Sequence, residues 1–108
     1  DTKIHRVDSA DSILNTIQAL SFGSTVTYYG VKAALLKEVV SKLREPRLPH
    51  YKVEVCTHSA HEFIQVQANN PKHTFNKRLP TLYSLLYGTR PESEVYAVRF
   101  TRTHFWRV

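Results

Sequence analysis

Ser24-Thr25-Val26-Thr27-Tyr28-Tyr29 is the stretch on which the fold turns. β-Branched and aromatic residues dominate it, and such side chains fit a pleated, half-buried surface better than a helix. The segment reads as a strand that Gly30 then breaks. Read instead as a loop, it would join two helices into a helix-turn-helix, and the chain would be a winged helix.

On the N-terminal side, Ile13, Leu14, Ile17 and Leu20 recur at helical spacing. Asp8 reads as the N-cap, with Asp11 as its box partner, and Gly23 as the stop, so a helix is predicted from about Ser9 to Ser21. Before it, Lys3 to Val7 is a short strand or an ordered arm. On the C-terminal side, Val31, Leu35, Val39 and Leu36, Val40, Leu43 line one broad face, with Lys32, Lys37, Glu38 and Lys42 largely outside it. This is an amphipathic helix to about Arg44, ended by Pro46 and Pro49.

Beyond it the period becomes two. Tyr51, Val53 and Val55 alternate with Lys52 and Glu54. After a turn at His58 to His61, Phe63 to Ala68 places Ile64, Val66 and Ala68 on one face and Phe63, Gln65 and Gln67 on the other. These two strands read as an antiparallel hairpin. Pro80 opens a short helix through Leu82, Leu85 and Leu86 to Gly88. Glu94 to about Thr103 is a long strand, with Tyr96, Val98 and Phe100 on one face and Arg99, Thr101 and Thr103 on the other.

From Ser24 onward the order is strand, helix, strand, strand, helix, strand, which is the ferredoxin-like βαββαβ order. The expected fold is therefore α+β: one antiparallel sheet with helices on one face, and the Ser9 helix as an N-terminal addition. In the winged-helix alternative the 51–68 hairpin is the wing. A chain of 108 residues, 42% hydrophobic and 22% charged, fits a single globular domain, 1–108. Cys56, the only cysteine, excludes a disulfide framework and reads as a small buried hydrophobe. No stretch approaches the roughly 18–20 apolar residues of a membrane span, and no signal peptide is visible, so an intracellular setting without membrane contact is expected. The absence of methionine fits a processed start or a piece of something longer. Oligomeric state is open.

The chemistry lies in the charge. Fifteen bases against nine acids leave +6, and residues 71–90 carry four bases and no acid. Lys72, His73, Lys77 and Arg78, with Arg90 nearby in sequence, form a basic connection. Lys77 and Arg78 stand just ahead of a predicted helix start, where unpaired backbone N–H groups welcome an anion. Lysines that only keep a loop soluble are the alternative. On the face of the sheet away from the helices, Phe63 and Arg99 could stack a base and bond its edge. Three glycines are too few for a Gly-rich phosphate loop, so no cofactor is expected. His58, His61 and Glu62 offer two imidazoles in a turn without a cysteine, which reads as surface histidine and not as metal. His73, His104, Arg99 and Arg102 have the composition of a ribonuclease site but no motif. Trp106, with Phe105 and Arg107, reads as a core lid.

The leading expectation is a non-enzymatic nucleic-acid-binding domain, for RNA or DNA, holding phosphates through Lys72, His73, Lys77, Arg78 and Arg90 and bases through Phe63 and Arg99. An interaction module docking on an acidic protein and a small metal-independent ribonuclease are the alternatives.

Overall fold

The computed structural model describes residues 2–43, 51–58, 61–66, 80, 82–86 and 88–103. These form a small α+β domain. A mixed five-stranded sheet carries two helices, together with a one-turn helix. The strands are β1 (Thr2–His5), β2 (Thr25–Lys32), β3 (Tyr51–Cys56), β4 (Ile64–Val66) and β5 (Glu94–Arg102). The helices are α1 (Ala10–Gln18), α2 (Ala33–Lys42) and the short α3 (Leu82–Leu85).

The deciding segment is a strand, which removes the winged helix on its own criterion. It also runs further than expected, through Gly30 to Lys32, so Val31 belongs to β2 and not to the helix. Ser9, not Asp8, caps α1: its Oγ accepts a hydrogen bond from the backbone N–H of Ser12 at 3.3 Å. β2 passes directly into α2, whose first N–H groups find partners across the chain. Ala33 N donates to the Ser93 carbonyl at 2.8 Å and Ala34 N to that of Pro91 at 3.0 Å, so the turn before β5 takes the place of a side-chain cap.

The sheet order is β1-β2-β5-β3-β4. It differs from the expected antiparallel, ferredoxin-like sheet in two ways. First, β1 is a full fifth strand, parallel to β2 through Thr2↔Val26 to His5↔Tyr29. The Ser9 helix is therefore the crossover of a β1-α1-β2 unit and not an addition. Second, β5 stands between β2 and β3, antiparallel to both. A ferredoxin-like sheet would put the third strand of the βαββαβ unit there. The physical reason lies in the two candidates. β5 is nine residues long, and Val95, Ala97, Val98 and Phe100 in it are buried, which suits the middle of a sheet. β4 spans three residues and suits an edge.

The core lies between the helices and one face of the sheet. Ile13, Leu14 and Ile17 of α1 and Leu36, Val39 and Val40 of α2 pack on Val26, Tyr28, Val53, Val66, Val98 and Phe100. Leu82 and Leu86 join them, and Leu35 is only partly buried. The Tyr51 hydroxyl donates to the Ile17 carbonyl at 3.0 Å in the last turn of α1, pinning that helix to β3. Burial raises the Tyr51 pKa. Among the described residues no helix is long and apolar enough to cross a membrane.

One strand position departs from simple alternation. Alternation puts Tyr96 on the core face beside Val98 and Phe100, yet it is 49% exposed. Opposite it, between the Tyr29↔Ala97 and Val31↔Val95 pairs, Gly30 adopts φ +68°. That left-handed backbone, open to glycine, reorients both strands locally. Val31 and Val95 enter the core, and Tyr96 turns out of it.

Candidate functional site

β1, β2 and β3 all run in the same direction, because β1 is parallel to β2 and both β2 and β3 are antiparallel to β5. Their carboxyl ends share one end of the sheet, the end where open sheets with parallel strands commonly hold ligands. Here that end carries an open cleft of about 610 Å³, lined by Lys3, His5, Arg6, Tyr29, Gly30, His58, Glu94 and Tyr96. Its volume falls in the range of small-molecule and nucleotide sites.

Four rings form a continuous wall. His5 stacks on its register partner Tyr29, with centroids 4.9 Å apart and planes 14° apart. Tyr29 meets Tyr96 edge to face at 5.8 Å, and Tyr96 meets His58 the same way at 5.6 Å. The displacement of Tyr96 by Gly30 makes this wall possible. Two cations flank it: Lys3, two residues before His5 on the same strand face, and Arg6, just past the end of β1. Among the described residues no ion pair engages either of them. Arg6 has φ +59°, a left-handed conformation that costs a residue with a β-carbon about 1–2 kcal/mol. Such backbone persists where the surroundings dictate it, often at ligand sites. Glu94 adds a carboxylate beside Gly30, where a glycine β-carbon would lie 3.7 Å from its Oε1.

A second arrangement sits farther along the same face. Glu54 on β3 lies opposite Arg99 on β5. Its two carboxylate oxygens accept from Arg99 Nε and Nη2, each at 3.0 Å, in a forked pair. The Arg99 guanidinium also lies 4.1 Å from the centre of the Phe63 ring. Hydrogen bonding from Arg99 holds the Glu54 carboxyl below its ordinary value, against the opposing effect of burial, and Glu54 in turn raises the Arg99 pKa.

The sign of the Glu54 effect sets a prediction. The folded-state pKa lies below the unfolded one, so the pair's stabilisation is complete above the ordinary Glu value of 4.5 and is lost as pH falls through the folded value. Glu54→Gln is expected to cost about 1–2 kcal/mol at neutral pH. It should also flatten the stability profile on the acid side, read from urea unfolding at a series of pH values. A variant with the wild-type acid limb would show that another carboxylate governs it.

The structure treats the sequence-predicted site residues unequally. Phe63 and Arg99 are brought together, with Arg99 paired to Glu54 and laid over the ring. Arg90 is exposed in the turn that leads into Glu94. Lys72, His73, Lys77 and Arg78 lie outside the described residues, as do His104, Phe105 and Trp106. Cys56 is buried. Among the described residues no group of three or more His, Cys, Asp and Glu side chains is placed to hold a metal. The cleft residues escaped sequence reasoning because they come from four separate segments. The local signals were Tyr28-Tyr29-Gly30, aromatic rings against a glycine, and a histidine between two cations in Lys3-Ile4-His5-Arg6.

The chain matches no protein-family model, no curated protein and no solved structure.

Proposed function

We propose that this domain binds single-stranded nucleic acid, with its bases on the ring wall of the cleft and its phosphates on Lys3 and Arg6. The observation that carries the reading is the wall itself, His5-Tyr29-Tyr96-His58, open to solvent at Tyr96 and flanked by two cations. Stacking on aromatic side chains beside a basic rim is how proteins hold unpaired strands without a sequence code. A duplex hides its base faces and offers the wall nothing. Glu94 is a suitable acceptor for an exocyclic amine on a base edge. The basic connection with Lys72, His73, Lys77 and Arg78, together with Arg90, is proposed on its charge alone to extend the phosphate-holding surface. Phe63 and Arg99 are a weaker choice for bases, because Arg99 already covers one side of the ring and is neutralised by Glu54.

Fluorescence-anisotropy titration with labelled single-stranded RNA, single-stranded DNA and duplex DNA, each at low and moderate salt, tests this. Single strands should bind at about micromolar strength, weaken steeply with salt, and outcompete duplex. Replacing Lys3 and Arg6 together by alanine should reduce the slope of log K against log salt by about 1.4, at about 0.7 for each phosphate that is no longer neutralised. No binding to any of the three at moderate salt would sink the proposal and direct attention to an acidic protein partner.

A further inference from the structure

We infer that the cleft also cleaves RNA, using His5 and His58 as a proton-transfer pair; this rests on the binding reading above. Both imidazoles line the same cleft, and each packs against a tyrosine ring. His5 lies flat on Tyr29, so its two nitrogens, which sit in the ring plane, point away from the stack. His58 meets Tyr96 at an interplanar angle of 61°. Among the described residues no hydrogen bond or ion pair engages the nitrogens of either ring. Imidazole is the side chain best suited to give and take protons near neutral pH.

The chemistry balances without a co-reactant. One imidazole, neutral, removes the proton of the ribose 2′-hydroxyl as its oxygen forms a bond to phosphorus. The P–O5′ bond breaks, and the other imidazole, protonated, gives its proton to the departing 5′-oxygen. The products are a 2′,3′-cyclic phosphate and a 5′-hydroxyl. Negative charge that builds on the phosphate oxygens in the transition state is met by Lys3 and Arg6, which line the same cleft. Lys3, Arg6, Glu94, Tyr29 and Tyr96 are the charged and titratable groups lining the cleft around the pair.

The test uses the whole chain in EDTA with two probes of one sequence. The first is an RNA oligonucleotide, followed for cleavage. The second is its fully 2′-O-methylated form, followed for binding and unable to react. Cleavage is expected to give cyclic-phosphate and 5′-hydroxyl ends with a bell-shaped pH dependence. His5→Phe and His58→Phe keep a ring in the wall but remove the proton-transfer nitrogens. At protein concentrations that saturate the RNA, each should lose about 10²- to 10⁴-fold in cleavage rate, with the affinity of each variant for the methylated strand measured separately. Binding of the methylated strand with the RNA left intact would overturn cleavage and leave the binding reading standing. Cleavage undiminished in both variants would also overturn the assignment. A variant that loses binding together with cleavage would assign its histidine to the wall alone. Failure of the wild-type chain to bind the methylated strand would remove both readings.

Discussion

Tyr29→Ala is expected to weaken binding of single-stranded RNA by about 1–3 kcal/mol, roughly five- to 150-fold, the scale on which a base depends on its aromatic platform. Tyr29 is the ring on which the others depend. It carries His5 on its face and meets Tyr96 at its edge, so its loss frees both neighbours. Its backbone is held by pairing on both sides, to His5 of β1 and to Ala97 of β5, so the strand itself should survive the truncation. Tyr29→Phe keeps the platform and should bind within a factor of about two of wild type, since stacking does not need the hydroxyl. Titrations of the three proteins at one salt concentration decide it. Equal affinities for wild type and Tyr29→Ala would place the bound strand elsewhere.

Phe100→Ala is expected to cost about 3–5 kcal/mol of folding stability. That is a large part of the roughly 5–15 kcal/mol that typically holds a domain together. Phe100 is fully buried in the central strand, with Val26 and Val53 as its register partners on either side, and its ring lies edge-on to Tyr28 at 6.1 Å. Truncation therefore opens a cavity where both helices and three strands meet. Tyr96→Ala, four positions away on the same strand, removes a ring of similar size that is 49% exposed, and it should cost no more than about 1 kcal/mol. Urea unfolding of both variants measures the contrast. A similar cost at the two positions would contradict the side-chain orientation that Gly30 imposes, and with it the ring wall.

Much of the fold is legible in the sequence because period and composition report local structure directly. The apolar spacing of Ile13, Leu14 and Ile17 and of Leu36, Val39 and Val40 marks both helices, and the β-branched run at Thr25 to Tyr29 marks β2. The pairing of those elements is not legible. A chain order of βαββαβ does not state which strand lies at the centre, and only the burial of Val95, Ala97, Val98 and Phe100 on both faces puts β5 there. The same gap hides the fate of Arg99. On an edge strand it would be available to a ligand, whereas at the centre it faces Glu54 and pairs with it. Tyr96 escapes for a different reason: strict alternation carries no information about a glycine on the neighbouring strand that turns the phase. The cleft depends on both effects. It joins His5, Tyr29, Tyr96 and His58 only once β1 is paired with β2, β5 is central, and Gly30 has turned Tyr96 outward.

The most direct test of the cleft as the nucleic-acid site is a titration of ¹⁵N-labelled protein with a short single-stranded RNA, followed by amide NMR spectra. Binding on the ring wall predicts saturable shifts concentrated at residues 3–6, 28–30, 57–58 and 94–97, with α1 and α2 unmoved apart from the first turn of α2. Shifts confined to the helical face, or an unchanged spectrum at millimolar RNA, would contradict it.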